Sequence, residues 1–599
     1  MWLDRWIAAL LAPLAIWLLA NALDDLFLDA VAAFAWFRAR WLASAARIPV
    51  AAELDAVPQR RMAIFVPLWN EHGVLRRMLE HNLAYIRYRN YDFFLGVYPN
   101  DRPTLEAVEQ AQALSSRVHL ATCPHAGPTS KADCLNWIYQ RMLLFEEQHG
   151  VRFESVLTHD AEDLVHPEAL RYINYFAQNY AMVQIPVLPL PTPWSHFTHG
   201  IYCDEFSEFQ YRDMPARQLL GGFIPSNGVG TGFSRDALEA LAAAHSNRIF
   251  DPLSLTEDYE NGLRIHQLGL PQLFIPLHLR QASMVATREY FPHSLRAAVR
   301  QRSRWVTGIA LQGWQRHGWR GSARQAYWFW RDRKCLAGSL LTPVANALFL
   351  YGAGTWAWAH AAGRGWSLPN AAHHGWLGPV CAATLSLQCF HLALRCFYTS
   401  HIYGWRFGCL APLRVPWANW INFRACATAL RTFAVARWRH QPLVWLKTEH
   451  SYPHRAALDP DYRRLGEILV GSSYLSAAAL EQALATRTEG VRLGAYLVAI
   501  GGLSEQHLYE ALALQQKLPL GCPGEVDVAV TRAIPAEVAR KWTVLPFRVA
   551  AGELYLAGTD IPTPPMTREI QQFCPLQIRF HLVTPTDYHE LASAYLPSE

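Results

Sequence analysis

The chain has 599 residues, with 54 Lys and Arg against 49 Asp and Glu. That is too long for one hydrophobic core and points to roughly three or four units, while so mild a positive balance excludes the strong field of a nucleic-acid binder, so no nucleic acid polymer is expected as a partner. Eleven cysteines without a C-x-x-C pair argue against a zinc site or disulfide framework and favour a reducing compartment, and 23 tryptophans suit a soluble body joined to membrane segments with aromatic belts.

From the amino terminus, Trp6 to Leu23 carries no charge and is just long enough to cross a bilayer, with Arg38, Arg40 and Arg47 behind it. A transmembrane helix is therefore expected within residues 1–50. A cleaved signal peptide is the competing reading, weakened by the lack of a basic start and a small-residue cleavage site. Residues 55–325 then alternate short apolar strands with helices: Met62–Pro67 (MAIFVP) and Phe93–Tyr98 are strand-like, as in a parallel α/β sheet. Such sheets bind ligands beyond the carboxyl ends of their strands.

Polar groups collect at those ends. Asn70-Glu71 follows the first strand, Asn100-Asp101 the second, and His159-Asp160-Ala161-Glu162-Asp163 a later strand, Ser155 to Thr158. Taken singly, Asn70 and Asp101 could be caps or turn residues. Together the groups suit a nucleotide-sugar site. Asp101 can hydrogen-bond a base or ribose, and the acidic cluster offers hard oxygen ligands for Mg2+ or Mn2+ bridging a diphosphate, where the metal neutralises the leaving group. Leu255 to Glu260 (LTEDYE) opens a helix that Thr256 is expected to cap. Gln301-Arg302-Ser303-Arg304-Trp305 lies in a basic amphipathic helix from about Ser294 to Trp314. That helix suits a membrane surface, and its Arg fork and Trp face also suit a diphosphate and a sugar ring.

In this order, V-P-x-x-N-E, the second-strand Asp, D-A-E-D, T-E-D and Q-R-x-R-W resemble the processive family-two glycosyltransferases, which include bacterial cellulose and hyaluronan synthases. Ser130 to Asn136 (SKADCLN) and Gly228 to Arg235 (GVGTGFSR) look like that family's K-A-x-x-L-N segment and acceptor-side loop. The resemblance implies a GT-A fold and inverting transfer, with Asp258 as general base beside Glu257 and Asp160 in the catalytic set. It further implies donor binding by Asn70, Glu71, Asp101, Lys131 and Asn136. Asp160 would hold the metal with Glu162 or Asp163, which the departure from a plain D-x-D leaves open. Gln301, Arg302, Arg304 and Trp305 would face the acceptor and diphosphate.

Within residues 326–440, Leu336–His360 and Gly375–Leu394 are two more uncharged apolar stretches, read as a helical hairpin. Three spans would put the amino terminus outside and everything after Leu394 inside. Trp405 to Arg439 is interrupted by Arg414, Pro416, Asn419, Asn422, Arg424 and Arg431. It is expected on the membrane surface in contact with lipid; a fourth span is the alternative, at the cost of burying those charges.

Residues 455–599 contain a tandem repeat: Arg464 to Arg487 and Arg492 to Gln515 share eleven identities over 24 positions. Leucines at such spacing are commonly core, but R-L-G at both starts offers an Arg for phosphate or guanine and a Gly permitting close backbone approach. The segment resembles the amino-terminal domain of type II secretion and type IV pilus ATPases in its cyclic di-GMP-binding form. That resemblance implies ligand contacts from Arg464, Leu465, Gly466, Leu469, Leu480, Leu484 and Arg487 in the first copy. In the second it implies Arg492, Leu493, Gly494, Leu497, Gly501, Leu508, Leu512 and Gln515. The first copy departs at Ser473 and Arg487, so its half-site is expected to be weaker. No G-x-x-x-x-G-K-[ST] occurs, so the ATPase itself is absent.

The full order resembles the inner-membrane phage adsorption protein B family. The expected architecture is an α/β GT-A domain with transmembrane helices and a carboxyl-terminal α+β helical-repeat sensor. The resemblance implies a synthase in the bacterial inner membrane, its catalytic and sensor domains cytoplasmic. It would extend a surface polysaccharide from a UDP-sugar, an N-acetylhexosamine being one form, onto a growing glycan acceptor. Cyclic di-GMP would activate it, and an outer-membrane export partner that also serves as phage receptor would complete the system. A membrane scaffold or export adaptor, and a non-processive transferase acting on a lipid-linked acceptor, are the alternatives.

Overall fold

The computed structural model describes residues 2–41, 49, 51–277, 284–368, 375–439, 465–471, 474–487, 490–516, 518–521, 526–550 and 553–596. The chain condenses into two compact units. The first comprises Met1–Trp69, Gly96–Asn100 and Ala121–Pro453; the second comprises Asn70–Leu95, Asp101–Leu120 and His454–Glu599.

A seven-stranded sheet forms the transferase region. In chain order its strands and those of a small companion sheet are β1 (Met62–Pro67), β2 (Tyr91–Val97), β3 (Val118–Thr122), β4 (Ser155–Thr158), β5 (Met182–Gln184), β6 (Val187–Pro189), β7 (Thr231–Ser234), β8 (Gln272–Phe274) and β9 (Thr287–Glu289). The large sheet has the order β3-β2-β1-β4-β7-β5-β8, and β6 pairs with β9. The side chains of β2 and β4 are buried throughout, and so are those of β1 up to Pro67, the run expected of strands covered by helices on both faces. β4 runs parallel to β1, with Phe65 opposite Thr158, and antiparallel to β7. The acidic turn after β4 therefore leaves the sheet at the same edge as the end of β1.

Among the described residues, three helices are long and apolar enough to cross a membrane: Ala9–Arg38, Cys335–Ala361 and Leu377–Tyr403. The first lies within one helix running from Trp2 to Trp41, well past the Leu23 at which the uncharged run ends. The acids beyond Leu23 do not break it because each meets a cation. Asp24 accepts hydrogen bonds from Lys334 Nζ and Tyr327 Oη, both at 2.8 Å, and from Arg331. Asp25 pairs with Arg331 and Lys334 at 3.3 Å, and Asp29 stands 3.6 Å from Arg212. Arg212 in turn holds Glu208 at 2.7 Å, and Glu208 holds His391 at 3.0 Å and Arg395 at 2.6 Å. Charges this deep persist when paired, since an isolated ion would carry the full desolvation cost.

The helix Ala411–Trp438 packs against the helices Phe197–Glu208, Leu295–Trp305 and Cys335–Ala361. Its interrupting charges are partly a protein interface rather than a headgroup contact. Arg414 is 1% exposed and forks onto Asp204, 4% exposed, with Nε and Nη2 each 2.7 Å from a carboxylate oxygen. Asn422 accepts from Arg302 Nη1 at 2.7 Å.

In the second unit the repeat forms four helices, Leu465–Gly471, Ala477–Thr486, Leu493–Ala499 and Glu505–Gln516. The copies share one core, in which Ile468, Leu469, Leu475 and Ala483 of the first meet Leu497, Leu503, Leu508 and Ala511 of the second. Beyond them, β10 (Val544–Ala550) pairs antiparallel with β11 (Glu553–Gly558), which pairs parallel with β12 (Gln577–Leu582). The tail is thus α+β.

Removing one member of a buried ion pair leaves the other uncompensated, which costs about 3–5 kcal/mol. Arg414→Ala is expected to lower the unfolding temperature of the detergent-solubilised chain markedly, and Arg414→Met with Asp204→Leu to recover most of the loss. An unchanged melting curve for Arg414→Ala would contradict this account.

Candidate functional site

In the first unit the acidic turn after β4 faces the helix Lys131–His149, which Ser130 caps by accepting the Asp133 amide. That cap brings Lys131 to the site, with its Nζ 2.6 Å from Asp160 Oδ1. Burial opposes the lysine charge, but Asp160 and Glu257 more than offset it and raise the pKa. Asp163 is wholly enclosed; its Oδ2 accepts the Asp160 amide at 2.9 Å and faces His159 Nδ1 at 2.8 Å. Burial, then the charges of Asp160 and Glu162, hold the Asp163 carboxyl well above its usual range, while burial pushes His159 down to about 4. His159 is therefore neutral and hydrogen-bonded to Asp163, and the Asp163 oxygen offered to a metal in the sequence reading is spent on shaping the turn.

Glu257 and Asp258 begin the helix Glu257–Gln267. Thr256 stands at the N-cap without a capping hydrogen bond; it packs on Gly308, where an added Cβ would fall 2.4 Å from its Oγ1. Burial and then Asp258 push Glu257 up to about 7. Burial also raises Asp258, against the pull of Lys131 and Arg304. Gly228, at a φ of +79°, lies directly on the Asp258 carboxylate: a Cβ there would come 2.7 Å from Oδ2. Glycine is required on both counts.

The loop carrying Gly228 is held by Gln184, which the sequence reading missed. Its fully buried amide accepts the Asn227 N–H at 2.9 Å and the Thr231 hydroxyl at 2.7 Å, and donates to the Val229 carbonyl at 3.0 Å. One polar residue inside the apolar run Ala181 to Leu190 was the available signal.

The Q-R-x-R-W helix divides its residues between two tasks. Arg304 lies close enough to Glu257 and Asp258 to stabilise their charged forms, and its buried Nε and the Gln301 Oε1 have no hydrogen-bond partner among the described residues. Arg302 turns away: it donates to Glu205 and Asn422, each at 2.7 Å, and lies over the Tyr202 ring. Trp305 packs with Tyr202 and Phe206. Asn136, expected at the donor, instead donates to the Phe250 carbonyl at 2.9 Å and accepts the Ile249 and Phe250 amides at 3.0 Å. These three hold the scaffold.

In the second unit, Asn70 adopts a φ of +60° and donates its amide to Asp101 Oδ2 at 2.5 Å, and the Glu71 amide donates to Thr104 Oγ1 at 3.0 Å. Glu71 and Asp101 are buried and Asn70 is exposed. Asp101 thus fixes the loop as well as facing its edge.

For the metal, no three His, Cys, Asp or Glu side chains gather into a ready cage among the described residues. Mg2+ needs only one or two carboxylates when substrate phosphates and water complete its shell, and Asp160 with Glu162 is a donor set of that kind.

In the repeat, Arg464 lies outside the described residues. Gly466 and Gly494 allow close approach, but to leucine: an added Cβ would meet Leu480 at 3.0 Å in one copy and Leu508 at 2.5 Å in the other. Leu469, Leu497 and Leu508 are core, with Leu465, Leu480, Leu493 and Leu512 packed at its edge. Gly501 ends a helix at a φ of +71°. Gln515 is half-buried, while Leu484, Arg487 and Arg492 are exposed, and Arg492 Nη1 stands 3.5 Å from Asp560.

Two family profiles match separate stretches of the chain. The "Glycosyltransferase like family 2" profile matches residues 58–308, and the MshEN domain profile matches residues 523–599, beginning after the repeat. Among solved structures, the mannosyltransferase PcManGT from Pyrobaculum calidifontis in complex with GDP-Man and Mn2+ is 18% identical, covering 68% of this chain and 99% of its own at a TM-score of 0.38. MshE with cdg is 29% identical, covering 22% of this chain and 99% of its own at a TM-score of 0.21. The chain is therefore a glycosyltransferase of the family 2 class, joined to helices long and apolar enough to cross a membrane and to an MshEN domain. More closely, it is 35% identical over 570 residues to bacteriophage adsorption protein B of Escherichia coli (strain K12), across 91% of this chain and 76% of that one. It belongs to the bacteriophage adsorption protein B family.

The Glu257–Asp258 pair keeps a proton in mildly acidic solution and loses it through neutrality, because burial raises both carboxyls and brings Glu257 to about 7. Donor turnover, read as nucleoside diphosphate release, is expected to climb with pH through about 7 and then level; an acid limb lying below pH 5 would contradict this. Gly228→Ala, by displacing the Asp258 carboxylate, is expected to cut turnover on the order of 100-fold without a comparable fall in melting temperature.

Proposed function

We propose that the chain is an inverting glycosyltransferase of the bacterial inner membrane that extends a surface polysaccharide from a UDP-sugar and is activated by cyclic di-GMP. The observation that carries the reading is the convergence of Lys131, Asp160, Glu257, Asp258 and Arg304 at the exit of β4. Asp258, under the Gly228 loop, takes the proton from the acceptor hydroxyl as that oxygen attacks the anomeric carbon. Glu257 shares the proton with it, and Arg304 faces the departing diphosphate with Gln301 beside it. Asp160 with Glu162 would hold Mg2+ or Mn2+, which would supply a Lewis acid for the diphosphate when bound. Asn70, Glu71 and Asp101 take the nucleoside. With three spans, the transferase and sensor lie in the cytoplasm, and the glycan is handed to an outer-membrane partner.

The repeat supplies the regulation, its duplicated R-L-G starts meeting the two halves of one symmetric dinucleotide. Membranes given a panel of UDP-sugars, each with and without cyclic di-GMP, are expected to release UDP from one donor and faster with the dinucleotide. Asp258→Asn is expected to lower this rate about 10²- to 10⁴-fold at normal protein level. Unchanged polymer from that variant would favour the scaffold reading, and a single added sugar would favour the non-processive one. Loss of a charged hydrogen bond weakens binding roughly tenfold or more. Arg492→Ala should therefore impair dinucleotide binding more than Arg464→Ala, as measured by calorimetry; equal losses would overturn the inequality of the halves.

A further inference from the structure

The second unit joins the repeat to the transferase segment that begins at Asn70. The first helix of copy one, Leu465–Gly471, and the last helix of copy two, Glu505–Gln516, both pack on the helix His72–Tyr85 and on each other. That transferase helix buries Val74, Leu75, Met78 and Leu79 and leaves Arg76 and Arg77 outward. Its amino end continues directly from Asn70 and Glu71, the loop pinned to Asp101 and Thr104. A shift of the helix is therefore a shift of that loop.

Tyr474 sits at the junction. Its hydroxyl donates to Glu510 and its ring stacks on His507, 4.3 Å away and 5° from parallel, so a residue of copy one is held by two residues of copy two. Arg117 and Tyr91 of the transferase lie close enough to act on its ionisation, and Arg117 itself lies over the Tyr91 ring at 5.1 Å. Tyr91 is buried, with Arg117 beside its hydroxyl. Further along the tail, His581 lies within electrostatic reach of Arg76. Tyr474 occupies the position that Gly502 fills in copy two, so the repeat is asymmetric at the place where it meets the transferase.

We propose that the helix His72–Tyr85 is the docking surface through which the repeat controls the transferase, with Tyr474 as the latch between the two copies and the β2–β3 edge. Both copies contribute a helix to this surface, so any change in their mutual packing reaches the Asn70–Glu71 loop and alters capture of the nucleotide rather than the acceptor groove. This rests on the reading of the repeat as a dinucleotide sensor, but the docking itself does not. The full chain in detergent is the test object, as wild type, Tyr474→Ala and Arg117→Ala. Amide exchange across residues 72–85 without ligand is expected to be at least about fivefold faster in Tyr474→Ala than in wild type, and equal exchange overturns the docking.

With cyclic di-GMP, wild type is expected to show a lower KM for the donor at nearly constant kcat. Both variants, which still bind the dinucleotide, should keep wild-type basal turnover within about twofold and lose that response. A full response in the variants overturns the latch. If wild type neither binds nor responds to the dinucleotide while the exchange difference stands, the sensor reading fails and the docking survives.

Discussion

Compensation of buried charge is the constraint on which the rest of this molecule depends. Asp24, Asp25 and Asp29 occur in a helix otherwise apolar enough to cross a bilayer, and they are reached by Arg212 of the transferase region and by Arg331 and Lys334 just ahead of the helix Cys335–Ala361. A lone ion in such a place is costly whichever measure is used. The first span can therefore exist at its observed length only when the transferase is folded against it, and Arg212 and Arg331 can be buried only when the span is present. Asp204 with Arg414 and Glu205 with Arg302 repeat the device for the helix Ala411–Trp438. Membrane and catalytic parts are thus interlocked through charges rather than through apolar packing alone.

The catalytic cluster uses the same physics for a different end. Asp160, Glu257 and Asp258 crowd one site with Lys131 as the cation held among them. Burial first, and then the neighbouring Asp258, bring Glu257 up to about 7, while Lys131 stands 2.6 Å from Asp160. Asp163, one residue beyond Glu162, is deeper and is hydrogen-bonded to the neighbouring His159. Residues close in sequence thereby acquire separate tasks from small differences in depth.

Much of this was legible before any fold was known. The strands β1 and β4 announce themselves as short apolar runs, and the acids at their ends follow from where such sheets hold ligands. What could not be read was direction. Arg302 and Arg304 are two residues apart on a helix and so cannot share a face; only packing decides that Arg304 meets the acids and Arg302 meets Glu205. Asn136 matches a motif letter by letter yet spends its amide on the Ile249 and Phe250 backbone. The first span was cut short at Leu23 because a local window sees Asp24 but not Lys334, some three hundred residues away. The repeat was found by identity alone, whereas the role of its glycines, making room for Leu480 and Leu508, needed the helices to be placed.

The shared core of the two copies has a consequence for how the tail could have arisen and how it can fail. Ile468 and Leu469 are enclosed jointly, by Leu475 and Ala483 of their own copy and by Leu497, Leu503, Leu508 and Ala511 of the other. The duplication is therefore not a spare. Excising either copy would strip the survivor of half its interior, so the smallest heritable unit is the pair, and lesions in one copy are felt as unfolding of both. An element built this way reports a single state, present or absent, rather than the sum of two independent readings.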